Sequence, residues 1–312
     1  MKKTALFSLT MLAAGFAFDA NAADKKLPGY TDTPIIPGQK WRVHDANRPR
    51  PKVVKAGPSK TLGAKPPKGA VVLFNGEDTS QWSHQKWKVE KGYMEVTKGS
   101  GQLSTKKIFG SIKLHIEFAT PIKVVGNSQG RGNSGVFFCG QYEVQVLDSY
   151  QNMSYADGQC AALYGQHPPL VNVCRPPGEW QTYDIEFHMP KFDKAGKVTR
   201  PAVITVVHNG IKVHDKRELN GPSGHRSVKK YRKHGPGSIG LQDHGNPMRF
   251  RNIWVVELED RKSGECAFFA FERAEPVGSA FFCQYLMAKH QDDPVSNWRC
   301  GLFWHRSFYP CA

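Results

Sequence analysis

The chain has 312 residues, with 43 Lys+Arg against 27 Asp+Glu and a formal charge of +16. Its length admits one large domain or two small ones with a sizeable core, and 39% hydrophobic with 22% charged residues excludes a disordered chain. Beyond the N-terminus no apolar run approaches the ~20 residues that span a bilayer, and 30 Gly and 21 Pro scattered without period exclude collagen and coiled coil.

Residues 1–22 read as a secretory signal. Lys2 and Lys3 give the charged end, Ala5 to Phe18 the short apolar stretch, and Ala20-Asn21-Ala22 the small-x-small cleavage site. The expectation is an exported bacterial protein, periplasmic or secreted. Residues 23–69 form an arm rich in Pro and Lys/Arg, in which Pro28, Pro34, Pro37, Pro49, Pro51, Pro58, Pro66 and Pro67 break any period. It reads as extended chain lying on the domain surface or as a solvated linker, with a basic charge suited to acidic surfaces. The seven Cys suit an oxidising compartment and lack CxxC zinc spacing. Cys160 and Cys174 flank a modest loop and are the expected bridge.

From residue 70 to 259 the chain becomes a series of short alternating segments. Val71 to Phe74 comes first, followed by the turn Asn75-Gly76-Glu77-Asp78. Trp87 to Glu90 and Tyr93 to Val96 flank Lys91-Gly92 as a hairpin. Ile112 to Phe118 places Ile, Leu, Ile and Phe on one face, and Ser134 to Phe138 and Tyr142 to Leu147 follow. Then come Trp180 to Phe187, Ala202 to His208, Ile211 to His214, Ile239 to Gln242 and Phe250 to Leu258. Asn209-Gly210 supplies the positive-φ pair of a tight hairpin. Sustained helical periodicity is absent, so the expectation is an antiparallel two-sheet sandwich or jelly roll. Residues 260–312 carry four Cys and dense aromatics with neither period. They read as a disulfide-stabilised appendage or, preferably, as an unselected tail such as an altered reading frame produces.

Two stretches carry chemistry-bearing residues. On the strand from Tyr142, Glu143 and Gln145 point one way while Val144 and Val146 point into the core. A bulge at Val146-Leu147 would return Asp148 to the face of Glu143 and Gln145, giving a carboxylate–amide–carboxylate row. Such a row costs desolvation and gives the core nothing, which points to a site. In Gly240 to Gly245, Gln242, Asp243 and His244 end a strand in a polar cluster, where His244 beside Asp243 is a candidate base or acid. Arg251 alternates with Phe250 and Ile253, and its guanidinium suits sugar hydroxyls or an enolate oxygen. Arg131 and Asn133, in the Gly126 to Gly135 loop, are further polar contacts. Tyr164 and Trp180 could stack on a pyranose, with core the preferred role for Trp180. HExxH, Walker and GxGxxG motifs are absent. The basic-aromatic run Lys229 to His234 reads as a solvated loop, with no nucleic acid as partner.

Several ordered motifs resemble the 3-keto-disaccharide hydrolase family: Leu73-Phe74-Asn75-Gly76-Glu77-Asp78 with Trp82, Gly101-Gln102-Leu103-Ser104-Thr105, and Asn133 to Phe137. Tyr142 to Asp148, Gly178-Glu179-Trp180, and Gln242-Asp243-His244 through Phe250 to Ile253 continue the likeness, which covers about residues 70–258. The resemblance implies an all-β, concanavalin A-like jelly-roll sandwich of two antiparallel sheets. It also implies cleavage of glycosides already oxidised at C3, through C2 proton abstraction, elimination at C1 and hydration. Glu143, Asp148 and His244 would share the acid and base roles, with Arg131 or Arg251 at the enolate. Related glucanases carry Glu-x-Asp-x-x-Glu where this chain has Gln145 and Asp148, which argues against a retaining dyad. The alternatives are a non-catalytic carbohydrate-binding module and a conventional glycoside hydrolase. No cofactor is demanded by these residues; a structural calcium ion is the one such folds leave open.

Overall fold

A computed structural model describes residues 27–259. The proposed signal segment and the 260–312 tail lie outside the described residues.

Period-2 alternation pairs into two antiparallel sheets with the core between them. The larger has eight strands, ordered Ile211–Glu218, Val203–His208, Trp180–His188, Ile112–Ala119, Arg249–Glu257, Tyr93–Glu95 and Lys88–Glu90, with Val71–Phe74 also paired to Arg249–Glu257. The smaller runs Leu103–Ser104, Gly240–Leu241, Asn133–Phe138 and Tyr142–Leu147. This is the antiparallel two-sheet sandwich expected above.

Residues of one parity from each sheet fill the interior. Leu114, Ile116, Phe118, Tyr183, Ile185 and Phe187 meet Val136, Phe138, Val144 and Val146, all essentially inaccessible to solvent. Each such apolar side chain contributes about 1.5–3 kcal/mol by leaving water. Phe138 of the small sheet stacks on Phe187 of the large sheet at 4.8 Å, and within the large sheet Phe118 lies 4.6 Å from Tyr183. Hairpin chemistry sets the register. Asn209 and Gly210 adopt φ of 50° and 81°, and Lys91 and Gly92 adopt 48° and 78°, the positive values that a two-residue turn needs.

Residues 27–53 fold back against the sandwich. Tyr30 bridges to Asp45 and Ile35 to Arg42, Lys52–Val53 pairs in parallel with Val171–Asn172, and Ile36, Val43 and His44 are buried. Arg48 and Arg50 are spent mostly on backbone carbonyls, including those of Gln166 and Ser154. The Cys160–Cys174 bridge expected from spacing is not formed. Cys139, Cys160 and Cys174 are free thiols; Cys160 Sγ lies 3.0 Å from the Tyr183 hydroxyl, and Cys174 Sγ donates to the Leu147 carbonyl.

Candidate active site

The face of the small sheet turned away from the core forms the floor of a cavity of about 380 Å³. It is lined by Gln129, Asn133, Phe137, Glu143, Gln145, Tyr155, Tyr164, Ser223, Gly224, His225, Lys229, Gln242 and His244. Pairing puts these residues together. Asn133, Gly135 and Phe137 sit opposite Leu147, Gln145 and Glu143, and directly opposed residues of an antiparallel pair share a face. Gly135 is glycine for space: a Cβ there would stand 2.5 Å from Glu143 Oε1 and 2.9 Å from the Phe137 ring.

Glu143 is the one carboxylate among the lining residues. Burial pushes its carboxyl up to about 8, opposed by the positive charge of Lys229. Gln145 Nε2 donates to Gln129 Oε1 at 2.9 Å. Asn133 Nδ2 donates to the Gln129 carbonyl at 2.7 Å, while its Oδ1 is buried without a protein partner. That oxygen is an acceptor left for a ligand hydroxyl.

Two loops wall the cavity. Residues 161–164 run beside the Tyr142–Leu147 strand: the Gln145 N–H donates to the Ala162 carbonyl, and the Tyr164 N–H donates to the Glu143 carbonyl. This places Tyr164 next to Glu143. The Tyr164 hydroxyl lies 2.9 Å from that of Tyr155 and 3.1 Å from His225 Nδ1, and burial raises both phenols above their ordinary range. On the other side, the Glu143 N–H donates to Ser223 Oγ, tying in the segment that carries His225 and Lys229. Gln242 extends over the floor, its N–H on the Gly135 carbonyl and its own carbonyl accepting from Ser134 Oγ. Exposed His244 stands at the rim.

Six of the ten residues singled out in the sequence therefore line one cavity: Glu143, Asn133, Gln145, Tyr164, Gln242 and His244. The other four do not. Pairing between the two central strands runs unbroken through Asn133–Leu147, so the expected bulge is missing and Asp148 is not returned to the face of Glu143 and Gln145. Asp148 instead accepts from Arg131 Nε at 2.7 Å and from the Tyr150 N–H, an ion pair that closes the loop behind the cavity. Burial raises the Asp148 carboxyl, partly offset by Arg131.

Asp243 does not orient His244. Its oxygens accept the N–H groups of Gly101 and Gly245 and shape the turn. Arg251 projects from the outer face of the large sheet, donating to buried Glu117 at 2.7 Å and lying 4.0 Å over Trp180. Phe250 on the same strand takes the inward face, and alternation sends Arg251 to the far side. Trp180 is thereby neither core nor site.

Sequence reasoning missed Gln129, Tyr155, Ser223, His225 and Lys229. The run from Lys229 is largely the solvated loop expected, with Lys229, Lys230, Arg232 and Lys233 exposed, but Lys229 also lines the cavity, and the Tyr231 hydroxyl accepts the Ala202 N–H and donates to the Leu219 carbonyl. The signal that could have found it was Tyr231, an aromatic unlikely to sit idle among five basic residues. Among the described residues no cluster of three or more His, Cys, Asp or Glu is arranged to hold a metal ion.

Residues 69–256 match the family model described as a 3-keto-alpha-glucoside-1,2-lyase-like domain. The crystal structure of a Parabacteroides distasonis protein, named as an inferred glycosyl hydrolase, is 40% identical with a TM-score of 0.62, covering 68% of this chain and 93% of its own. A second, similarly named protein of that organism is 22% identical with a TM-score of 0.45, over 61% of this chain and 99% of its own. No curated protein matches.

Proposed function

Because the chain belongs to the 3-keto-alpha-glucoside-1,2-lyase-like family, a family of glycoside-processing enzymes, we propose that it cleaves 3-keto-glycosides by elimination and hydration. The observation that carries this reading is a lone, proton-holding carboxyl on the floor of a polar cavity, facing a lysine. Direct hydrolysis by a retaining or inverting route uses two carboxyl groups, and Glu143 has no second carboxylate among the lining residues. Elimination needs one base. A C3 ketone acidifies the C2 proton, and Glu143, raised to about 8, is a stronger base than an ordinary carboxylate.

Glu143 takes the C2 proton and the electron pair moves to the C3 oxygen as an enolate, which the Lys229 ammonium stabilises. Collapse of the enolate forms the C1=C2 bond and breaks the bond from C1 to the aglycone oxygen. His244, at the rim where a leaving group meets solvent, supplies the proton to that oxygen. Water then adds across C1=C2, hydroxyl to C1 and proton to C2, for net hydrolysis. Asn133 Oδ1 accepts from a sugar hydroxyl, and Tyr164 offers a flat face to the ring. Lys229 replaces Arg131 and Arg251 as the enolate partner.

Release of aglycone from a 3-keto-glucoside but not from the parent glucoside, with solvent deuterium appearing at C2, is the expected outcome. Equal turnover of both substrates would assign a conventional glycosidase. Sugar affinity without turnover would assign a binding module. Export to the periplasm or beyond belongs to the same proposal, and cell fractionation tests it.

A further inference from the structure

The matched family domain begins at residue 69, yet the cavity is backed by residues well before it. Gly29 turns with φ of 128°, where a Cβ would stand 2.6 Å from the His44 carbonyl oxygen, so the two limbs of the arm lie closely together. The Tyr30 N–H donates to the His44 carbonyl at 2.8 Å, and the Ala46 N–H donates back to Tyr30. His44 itself sits at φ 55° in the left-handed region, an uncommon conformation for histidine that its surroundings must hold. Asp157 supplies the hold at two points, accepting the His44 N–H at 2.9 Å and meeting Nδ1 at 3.2 Å.

The ring so fixed is fully buried against the cavity wall. Its centroid lies 4.1 Å from Tyr155, 4.7 Å from Tyr164 and 5.4 Å from His225, and all three line the cavity. Tyr30 adds an edge-on contact to His225 at 5.9 Å. Arg226, the neighbour of His225, lies 4.2 Å over Tyr30 and donates from Nη2 to both carboxylate oxygens of Asp32. Thus the arm grips the 221–229 segment from outside, while Tyr164 grips His225 from inside.

We propose that the N-terminal arm backs a working wall of the site, in which His44 and Tyr30 are positioning residues that hold Tyr164 and His225 in place for the sugar. The proposal rests on the cavity being the substrate site. The arm touches no reacting atom in this account. Its effect falls on binding, because Tyr164 and His225 wall the cavity and Glu143 does the chemistry.

Tyr30 tests this better than His44, whose removal leaves Asp157 buried without its partner and endangers folding. Tyr30→Ala and Tyr30→Phe would be compared with the wild type in the full chain. The readouts are the His225 imidazole NMR signals, assigned with His225→Gln, and steady-state kinetics on a 3-keto-glucoside. In Tyr30→Ala the His225 signals should move toward those of free histidine, and KM should rise at least fivefold while kcat stays within twofold. Tyr30→Phe, which keeps the ring, should restore both. Unmoved His225 signals overturn the proposal, and so does an unchanged KM in an active enzyme. Should the wild type not turn over the ketone, the functional reading fails, and the His225 spectrum alone decides the arm's role.

Discussion

Glu143 is mostly protonated at pH 7 because its carboxyl is buried, and the Lys229 charge only partly offsets that burial. As the proposed base for C2 it would work in the ionised form, so the rising limb of kcat/KM on a 3-keto-glucoside should climb with pH up to about 8. An acid role would give the opposite slope, which a pH–rate profile distinguishes. Glu143→Gln should lower kcat by roughly 100-fold or more. The same substitution should stabilise the fold. A carboxyl whose folded value lies above its unfolded value costs stability as pH rises from about 4.5 to about 8. The gain in Tm should therefore be larger at pH 8.5 than at pH 5, by roughly 5 °C. Gly135→Ala tests the space behind the carboxylate. A Cβ 2.5 Å from Oε1 must displace it, and a shift of this size should cost about 100-fold in kcat/KM, measured on folded protein.

At the scale of the element, the two sheets divide polar residues by purpose. The small sheet spends its outward face on the cavity. The large sheet spends part of its own on Glu117, which accepts from Arg251, Asn252 and the Gly63 N–H and lies beside His115. Burial acts to raise the Glu117 carboxyl, but these hydrogen bonds outweigh it and hold the group down at about 2. Its stabilising contribution is complete above about 4.5 and is lost as pH falls through that value towards about 2. Glu117→Gln should flatten the Tm-versus-pH curve in that window, read by thermal melts, with kcat/KM unaltered at neutral pH. Arg131→Ala should behave differently. It leaves buried Asp148 without its ion partner at about 3 kcal/mol, lowering Tm by several degrees and loosening the loop that leads into the Asn133–Phe138 strand.

For the whole molecule, a charge of +16 acts at long range rather than through any one contact. The Lys/Arg-rich segment before residue 69 makes acidic surfaces an expected partner. Retention on sulfated-polysaccharide beads at low salt, lost on raising ionic strength well above physiological, is the expected result. Salt-independent retention would point to a specific site instead. The arm is also where the surface-lying and solvated-linker readings part: its prolines break periodic structure, yet His44, Val43 and Ile36 are buried against the domain.

The sequence by itself determined the all-β class, the hairpins at Lys91-Gly92 and Asn209-Gly210, and the core parity of the central strands. These follow from short-range rules: side chains alternate with period two, and positive φ selects Asn and Gly. It also singled out Glu143, Gln145, Asn133, Gln242 and His244, which line one cavity, but did so together with Asp148, Arg131, Asp243 and Arg251, which do not. Only the tertiary structure decided the rest. Whether Asp148 joins that row depends on strand register, and the unbroken pairing of Asn133 with Leu147 excludes it. Arg251 shows its parity in sequence, but parity does not say which side of the sheet holds the cavity. His44, Asp157, His225 and Lys229 come from segments up to 185 positions apart, from 44 to 229. Nothing local marks His44, Asp157 or His225, because folding of the arm and the closing loops, rather than any motif, brings these rings and charges to one wall.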